Sequence, residues 1–349
     1  MSTPSPPLSQ GRGRSGGRIL VDQLVTHGVD LAFTVPGESF LPVLDALYDV
    51  REELKLIVCR HEAGAANMAE AYGKLTNRPG ICFVTRGPGA AHAAIGVHTA
   101  FQDSTPMILF IGDVGSDFRG REAFQEVDFS AMFAPLAKWA DRIDDAARIP
   151  EFVARAFQVA TSGRRGPVVL ALPEDMLSME VKTADARRFT PSEPHPAPED
   201  MEKLRAMLAE AQRPLVILGG GGWTPEAGAD MRRFVEANAL PCACAFRYQD
   251  LFDNRHPQYV GDVGIGINPV LAERVRTSDL LLVVGARLGE MTTSGYTLLR
   301  SPVPRQPLVH VHPGAEELGR VYQPELAILS GFAPFARAAA TLAPVASPP

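Results

Sequence analysis

From Arg18 onward, short runs of consecutive apolar residues alternate with stretches of helical periodicity, and this alternation constrains the fold more than any other feature of the sequence. Runs such as Leu31 to Val35, Gly80 to Thr85 and Met107 to Ile111 are too short for core helices. They are also too uniformly apolar to leave one face in water, so they read as strands covered on both sides. Further strands are expected at Leu56 to Cys59 and Pro167 to Ala171. Helices are expected between them at Arg18 to His27, Phe40 to Val50, Glu62 to Thr76, Ala90 to Asp103 and Ile149 to Thr161. Strand and helix in alternation build a mostly parallel sheet flanked by helices.

The pattern breaks at Val181 to Asp200, where Pro191, Pro194, Pro196 and Pro198 are spaced so that neither a helix nor an inner strand runs across them. It then restarts. Helices are expected at Met201 to Glu210, Pro225 to Ala237 and Pro269 to Arg276, and strands at Pro214 to Leu218, Leu240 to Ala243, Asp279 to Val284 and Gln306 to Val311. The fold class is therefore α/β, with two consecutive open, mostly parallel sheets flanked by helices. The expected layout is a leader at 1–17, a first domain at 18–180, a Pro-rich linker at 181–200 and a Rossmann-like second domain at 201–345.

A length of 349 residues suits two or three compact units, each large enough for its own core. Hydrophobic residues at 46% and charged residues at 21% exclude a disordered or fibrous chain. A net charge of −6 lacks the basic footprint that phosphate-backbone binding requires, so nucleic acid is not expected as a partner. The longest apolar runs are strand-length, far short of the ~20 residues of a membrane span. Met1 to Gly17 has no apolar signal region and reads as a flexible leader, which points to a cytoplasmic protein. Cys59, Cys82, Cys242 and Cys244 lie in strand-like runs without zinc-site spacing and read as buried small hydrophobes in a reducing compartment.

The segment from Cys59 to Asp113 holds the candidate chemistry. Glu62 opens a helix, where an acid is favoured by the helix dipole whether or not it has a function. Gly64, Ala65, Ala66, Ala69 and Ala71 leave that helix almost bare, suited either to a flat ligand or to close packing against a neighbouring helix. Thr85-Arg86-Gly87-Pro88-Gly89 joins a strand to a helix, where ligands meet backbone N–H groups in open α/β sheets. Val35-Pro36-Gly37-Glu38 contains a turn dipeptide in which glycine would supply a positive φ. As isolated features both loops read as plain turns. His310 and His312 alternate on one strand, but no third ligand is visible and no metal set is read from the sequence.

Taken in order, Val35-Pro36-Gly37-Glu38, Arg60-His61-Glu62-Ala63-Gly64-Ala65-Ala66-Asn67-Met68-Ala69, Thr85-Arg86-Gly87-Pro88-Gly89-Ala90, Asp103-Ser104-Thr105-Pro106 and Ala123-Phe124-Gln125-Glu126 resemble the thiamine diphosphate-dependent enzymes of the acetolactate synthase group. The resemblance implies that the first domain is the pyrimidine-binding domain and the second the central domain. It implies thiamine diphosphate as cofactor and Glu62 as the catalytic acid, hydrogen-bonded to the pyrimidine ring so that the imino tautomer can take the thiazolium C2 proton. That role calls for an apolar pocket that raises the carboxyl pKa, which the alanines and glycine near Glu62 would provide.

By the same resemblance Gly37, Glu38, Thr85, Pro88, Gly89 and His92 line the cofactor pocket, His92 standing where the family often has asparagine. Phe124, Gln125 and Lys138 match positions that face the substrate from a neighbouring subunit; a surface helix and an ordinary lysine are the plain alternative. Asp113 stands where the family often has glutamine. Gly220, Gly221, Gly285 and Arg287 match loops that hold FAD in acetolactate synthases. However, Gly264-Ile265-Gly266 and Leu288-Gly289-Glu290 replace the signatures of flavin-binding members, which favours a central domain without flavin. No Gly-Asp-Gly occurs, so the Mg2+ and the diphosphate would be held by a diphosphate-binding domain not in this sequence. The expected function is decarboxylation and carboligation of a 2-oxo acid, in a homodimer or with a complementing subunit. The alternatives are a benzoylformate decarboxylase-like lyase, or a non-catalytic scaffold or regulatory member.

Overall fold

The computed structural model describes residues 13–345. They fall into two units, one of 13–161 and 166–190, the other of 162–165 and 191–345.

In the first unit the elements follow in the order β1 (Arg14–Ser15), α1 (Gly16–Thr26), β2 (Leu31–Thr34), α2 (Leu41–Asp49), β3 (Lys55–Val58), α3 (Glu62–Thr76), β4 (Gly80–Val84) and α4 (Gly87–Asp103). They continue with β5 (Met107–Asp113), α5 (Phe129–Phe133), β6 (Trp139–Arg142), α6 (Ile149–Thr161), β7 (Pro167–Pro173), α7 (Glu174–Ser178) and β8 (Glu180–Val181). Six strands form one parallel sheet in the order β3-β2-β4-β5-β7-β6. Alternate residues of its strands enter two separate cores. Ile81, Phe83, Ile108 and Phe110 pack with α1, α2 and α6. Cys82, Val84, Leu109 and Ile111 pack with α3, α4 and α5. A sheet covered on both faces is why these strands are continuous apolar runs.

Part of the expected leader, residues 1–12, lies outside the described residues. The rest is ordered structure. Arg14 and Ser15 pair antiparallel with Val181 and Glu180, and the Ser15 hydroxyl caps α1 by accepting from Arg18 N at 3.2 Å. Gly16 and Gly17 are there for close approach, since a Cβ would fall 2.4 Å from Met176 O and 2.5 Å from the Pro42 carbonyl, respectively.

The second unit contains α8 (Pro198–Glu210), β9 (Pro214–Leu218), α9 (Pro225–Ala237), β10 (Cys242–Ala245), β11 (Tyr259–Val263), α10 (Pro269–Thr277), β12 (Leu280–Val284), β13 (Leu308–His312), β14 (Leu326–Leu329) and α11 (Phe332–Thr341). Its six strands are all parallel, in the order β11-β10-β9-β12-β13-β14. Numbered from β9, this is 3-2-1-4-5-6, the doubly wound dinucleotide-fold order. The expected linker gives up its last residues to α8, because Pro198 stands in the first turn, where a missing N–H removes no helical bond. Among the described residues no helix is long and apolar enough to cross a membrane.

Candidate active site

Ligands of open α/β sheets settle at the carboxyl ends of the strands, where the strand order reverses. In the first sheet that point lies between β2 and β4. The loop after β2 carries Gly37 and Glu38, the loop after β4 carries Thr85 to Gly89, and the neighbouring β3 leads to Glu62. The topology therefore collects at one end most of the residues picked out from sequence.

The two loops interlock. Gly37 has φ −145°, extended backbone rather than the positive φ expected of it. Glycine is needed here because a Cβ would lie 2.5 Å from Thr85 Cβ. Ser39 Oγ and Thr85 Oγ1 share a hydrogen bond of 2.9 Å, while the Glu38 and Pro88 side chains remain exposed. Pro88 lies in the first turn of α4.

Glu62 is the first residue of α3 and its side chain is 14% exposed. His92, reaching from α4, places Nδ1 2.9 Å from Glu62 Oε2. On the other side, a Cβ added to Gly89 would lie 3.7 Å from Glu62 Oε1. His61 is the N-cap of α3; its Nδ1 accepts from Ala63 N at 3.1 Å, and its ring stacks on His92 with centroids 4.5 Å apart. The ligand atoms of His61, Glu62 and His92 all lie within 4.8 Å of one another.

The expected apolar pocket is not what surrounds this carboxylate. Ala65, Ala66 and Ala69 face the core, and a Cβ on Gly96 of α4 would strike Ala66 Cβ at 2.5 Å. The bareness of α3 thus serves close packing of α3 on α4, and imidazoles stand beside Glu62 instead.

The Ala123-Phe124-Gln125-Glu126 run is not a helix. Gln125 adopts φ +63°, and the backbone of the segment is fastened to the start of α4: Gly87 N donates to Gln125 O at 3.0 Å and Arg86 donates to Phe124 O at 3.2 Å. Arg86 is fixed in turn by Glu174 at 2.7 Å. Glu126 accepts from Gly120 N and Ala123 N, which holds its carboxyl below the usual range. Phe124 and Gln125 are therefore brought toward the loop of Thr85 to Gly89.

Lys138 is not. It precedes β6, at the amino end of the sheet, and its ammonium donates to Val159 O at 2.6 Å. Asp113 is also turned to structure. It is buried, bonded to Val114 N and to Arg142 Nε at 3.0 Å, and burial raises its pKa against the pull of these partners. Sequence reasoning assigned no role to His61, Arg86 or Arg142. His61 alone carried a signal, an N-cap position immediately before the acid.

In the second unit the strand order reverses between β9 and β12, whose loops carry Gly219 to Gly222 and Gly285. Both Gly220 and Gly285 have φ +77°. A Cβ on Gly220 would meet Gly285 O at 2.5 Å, and one on Gly285 would meet Gly219 O at 2.3 Å. Trp223 stacks on Phe332 at 5.0 Å and donates to Gly219 O at 2.9 Å. The glycines are thus accounted for by two loops packed on each other. Arg287 pairs with buried Glu317 at 3.2 Å, as do Arg164 at 3.3 Å and Arg320 at 3.1 Å. Burial alone would raise the Glu317 carboxyl, but the guanidiniums hold it below the ordinary value.

His310 and His312 are buried and bonded to Ala286 O and Gly314 O. Cys82, Cys242 and Cys244 are buried, whereas Cys59 is half-exposed.

Residues 14–132 match the N-terminal TPP binding domain of thiamine pyrophosphate enzymes, and residues 201–339 match the central domain of the same enzymes. The chain belongs to this family. It is 33% identical over 320 residues to the acetolactate synthase isozyme 2 large subunit of Escherichia coli, covering 90% of this chain and 56% of that protein. The acetolactate synthase large subunit of Parasynechococcus marenigrum is 33% identical over 324 residues, with coverages of 90% and 52%. That of Corynebacterium glutamicum is 30% identical over 339 residues, with coverages of 93% and 53%. The chain spans about half the length of the curated relatives it matches.

Proposed function

We propose that this chain forms the pyrimidine side of a thiamine diphosphate site. Together with a diphosphate-binding domain holding Mg2+, it would decarboxylate a 2-oxo acid such as pyruvate and join the product to a second one, as an acetolactate synthase does. The observation that carries the reading is the division of labour at Glu62: Oε2 is engaged by His92 at 2.9 Å, while Oε1 faces the side-chain-free position of Gly89.

The same position of Gly89 is flanked by Thr85 Cγ2 and Val84 Cβ, which would lie 3.2 and 3.5 Å from an added Cβ, so Glu62 Oε1 stands beside the β4–α4 loop. The chemistry a bound thiamine diphosphate supplies is a stabilised carbanion at its thiazolium ring. Glu62 would hydrogen-bond the pyrimidine ring, His92 would orient Glu62, and the close approach of Gly37 to Thr85 would fix the two loops on that side of the site. Phe124 and Gln125 stand on the substrate side through the backbone bonds that tie their loop to α4. Lys138 is left out of this reading because its ammonium is bonded elsewhere. Flavin is left out because Gly264-Ile265-Gly266 and Leu288-Gly289-Glu290 stand where flavin-binding members carry their signatures.

Assembly through the α3–α4 face, with a second copy or a complementing subunit, is supported by the exposed apolar side chains of Met68, Leu75 and Ile95 on these two helices. The test is to supply a diphosphate-binding domain, fused or as a separate chain, with Mg2+, thiamine diphosphate and pyruvate. Acetolactate and CO2 formed by wild type and not by Glu62→Gln are expected. Turnover indifferent to Glu62 would overturn the proposal.

A further inference from the structure

We infer that His61, Glu62 and His92 form a binding site for a divalent transition-metal ion, with Zn2+ as the reference ion, separate from any Mg2+ that accompanies a diphosphate. Two imidazoles and one carboxylate are a donor set suited to Zn2+ and its neighbours in the first transition row, and poorly suited to Mg2+. Among the described residues this is the only group of three or more such side chains whose ligand atoms converge, all within 4.8 Å of one another. Bond lengths of ~2.0–2.2 Å place ligand atoms on one zinc roughly 3.3 Å apart. Closing the remaining gap means exchanging the present contacts of the two rings, the His61–Ala63 and His92–Glu62 hydrogen bonds, for bonds to the metal, and both imidazoles are exposed to it, His92 at 53%. Their backbones are fixed by α3 and α4, packed closely on each other through Ala66 and Gly96. With three protein ligands at a solvent-facing edge, the fourth position is left to water.

Binding carries a local signature. His61 Nδ1 now accepts the Ala63 N–H at 3.1 Å. Ligation through Nδ1 uses that lone pair, and ligation through Nε2 requires the proton to sit on Nδ1. Either way, the Ala63 amide loses its cap. The inference does not rest on the thiamine reading, since it is tested on the chain without cofactor. Where both hold, Zn2+ and the pyrimidine ring compete for Glu62.

The test is titration of tag-free chain with Zn2+ near neutral pH by calorimetry, with Co2+ as a visible-absorption probe. One Zn2+ per chain is expected, and the ligand-field bands of low-coordinate Co2+ should appear. His92→Asn and His61→Asn should each weaken binding at least tenfold and abolish those bands; asparagine at position 61 retains an oxygen to cap α3. In wild type the Ala63 amide should shift and exchange faster on Zn2+ addition, a readout that needs no variant. No saturable uptake by wild type, or uptake that survives both substitutions unchanged, would overturn the inference.

Discussion

Glu62 and His92 are 30 residues apart, and their hydrogen bond exists because two helices set out from the same end of one sheet. The sequence made the first-turn position of Glu62 legible, separated by two residues from an apolar run and at the start of a helical period, while its expected role came from the family resemblance. The family resemblance placed His92 in the same pocket, but neither its bond to Glu62 nor its stacking on His61 was foreseen, because a contact between two helices leaves no trace in local periodicity. Gly37 teaches the same lesson: its identity suggested a turn conformation, yet the requirement is a side-chain clash. Gly37→Ala should therefore destabilise the first unit by about 1–3 kcal/mol, read as a lower urea midpoint with an unchanged slope. A neutral or stabilising outcome would refute the packing argument.

At the scale of elements, α3, α6, β9 and α9 have the boundaries expected from the sequence, while β6, β11 and β14 were not anticipated. All three lie at sheet edges. Trp139 to Arg142 is half-buried throughout, and Tyr259 to Val263 carries glycine and aspartate, so neither presents the continuous apolar run of an inner strand. The α3–α4 contact is an element-level claim with its own test. Gly96→Ala gains up to about 1 kcal/mol of helix propensity in isolation. In this fold the new methyl meets Ala66 Cβ at 2.5 Å. A net loss of about 1–3 kcal/mol is expected from overpacking, measured by chemical denaturation; a net gain would mean that the helices are not closely packed.

For the whole molecule, acid sensitivity follows from three buried histidines. Burial holds His310 and His312 in the second unit, and His27 in the first, at about 4 instead of 6.5. These groups are depressed on folding, so the unfolded chain binds more protons between the two values. Stability is constant above about pH 7 and is lost as pH falls toward 4. By pH 5 each histidine removes on the order of 2 kcal/mol, so the second unit, with two, should lose more stability on acidification than the first. Denaturation midpoints at pH 7.5 and 5 for each unit's transition check this; equal loss in both would contradict it. The assembly proposed through the α3–α4 face makes a second prediction at this scale. Leu75→Lys with Ile95→Lys should shift the chain toward monomer in light scattering without changing its circular dichroism.

The central claim is that Glu62 activates a thiamine ring held at the carboxyl end of the first sheet. The most direct measurement is hydrogen–deuterium exchange at the thiazolium C2 of bound thiamine diphosphate, followed by NMR after acid quench, with a diphosphate-binding domain and Mg2+ supplied. The account predicts fast exchange in the wild type and, in Glu62→Gln, a rate lower by roughly a hundredfold or more at equal cofactor occupancy. Equal rates in the two proteins would contradict it.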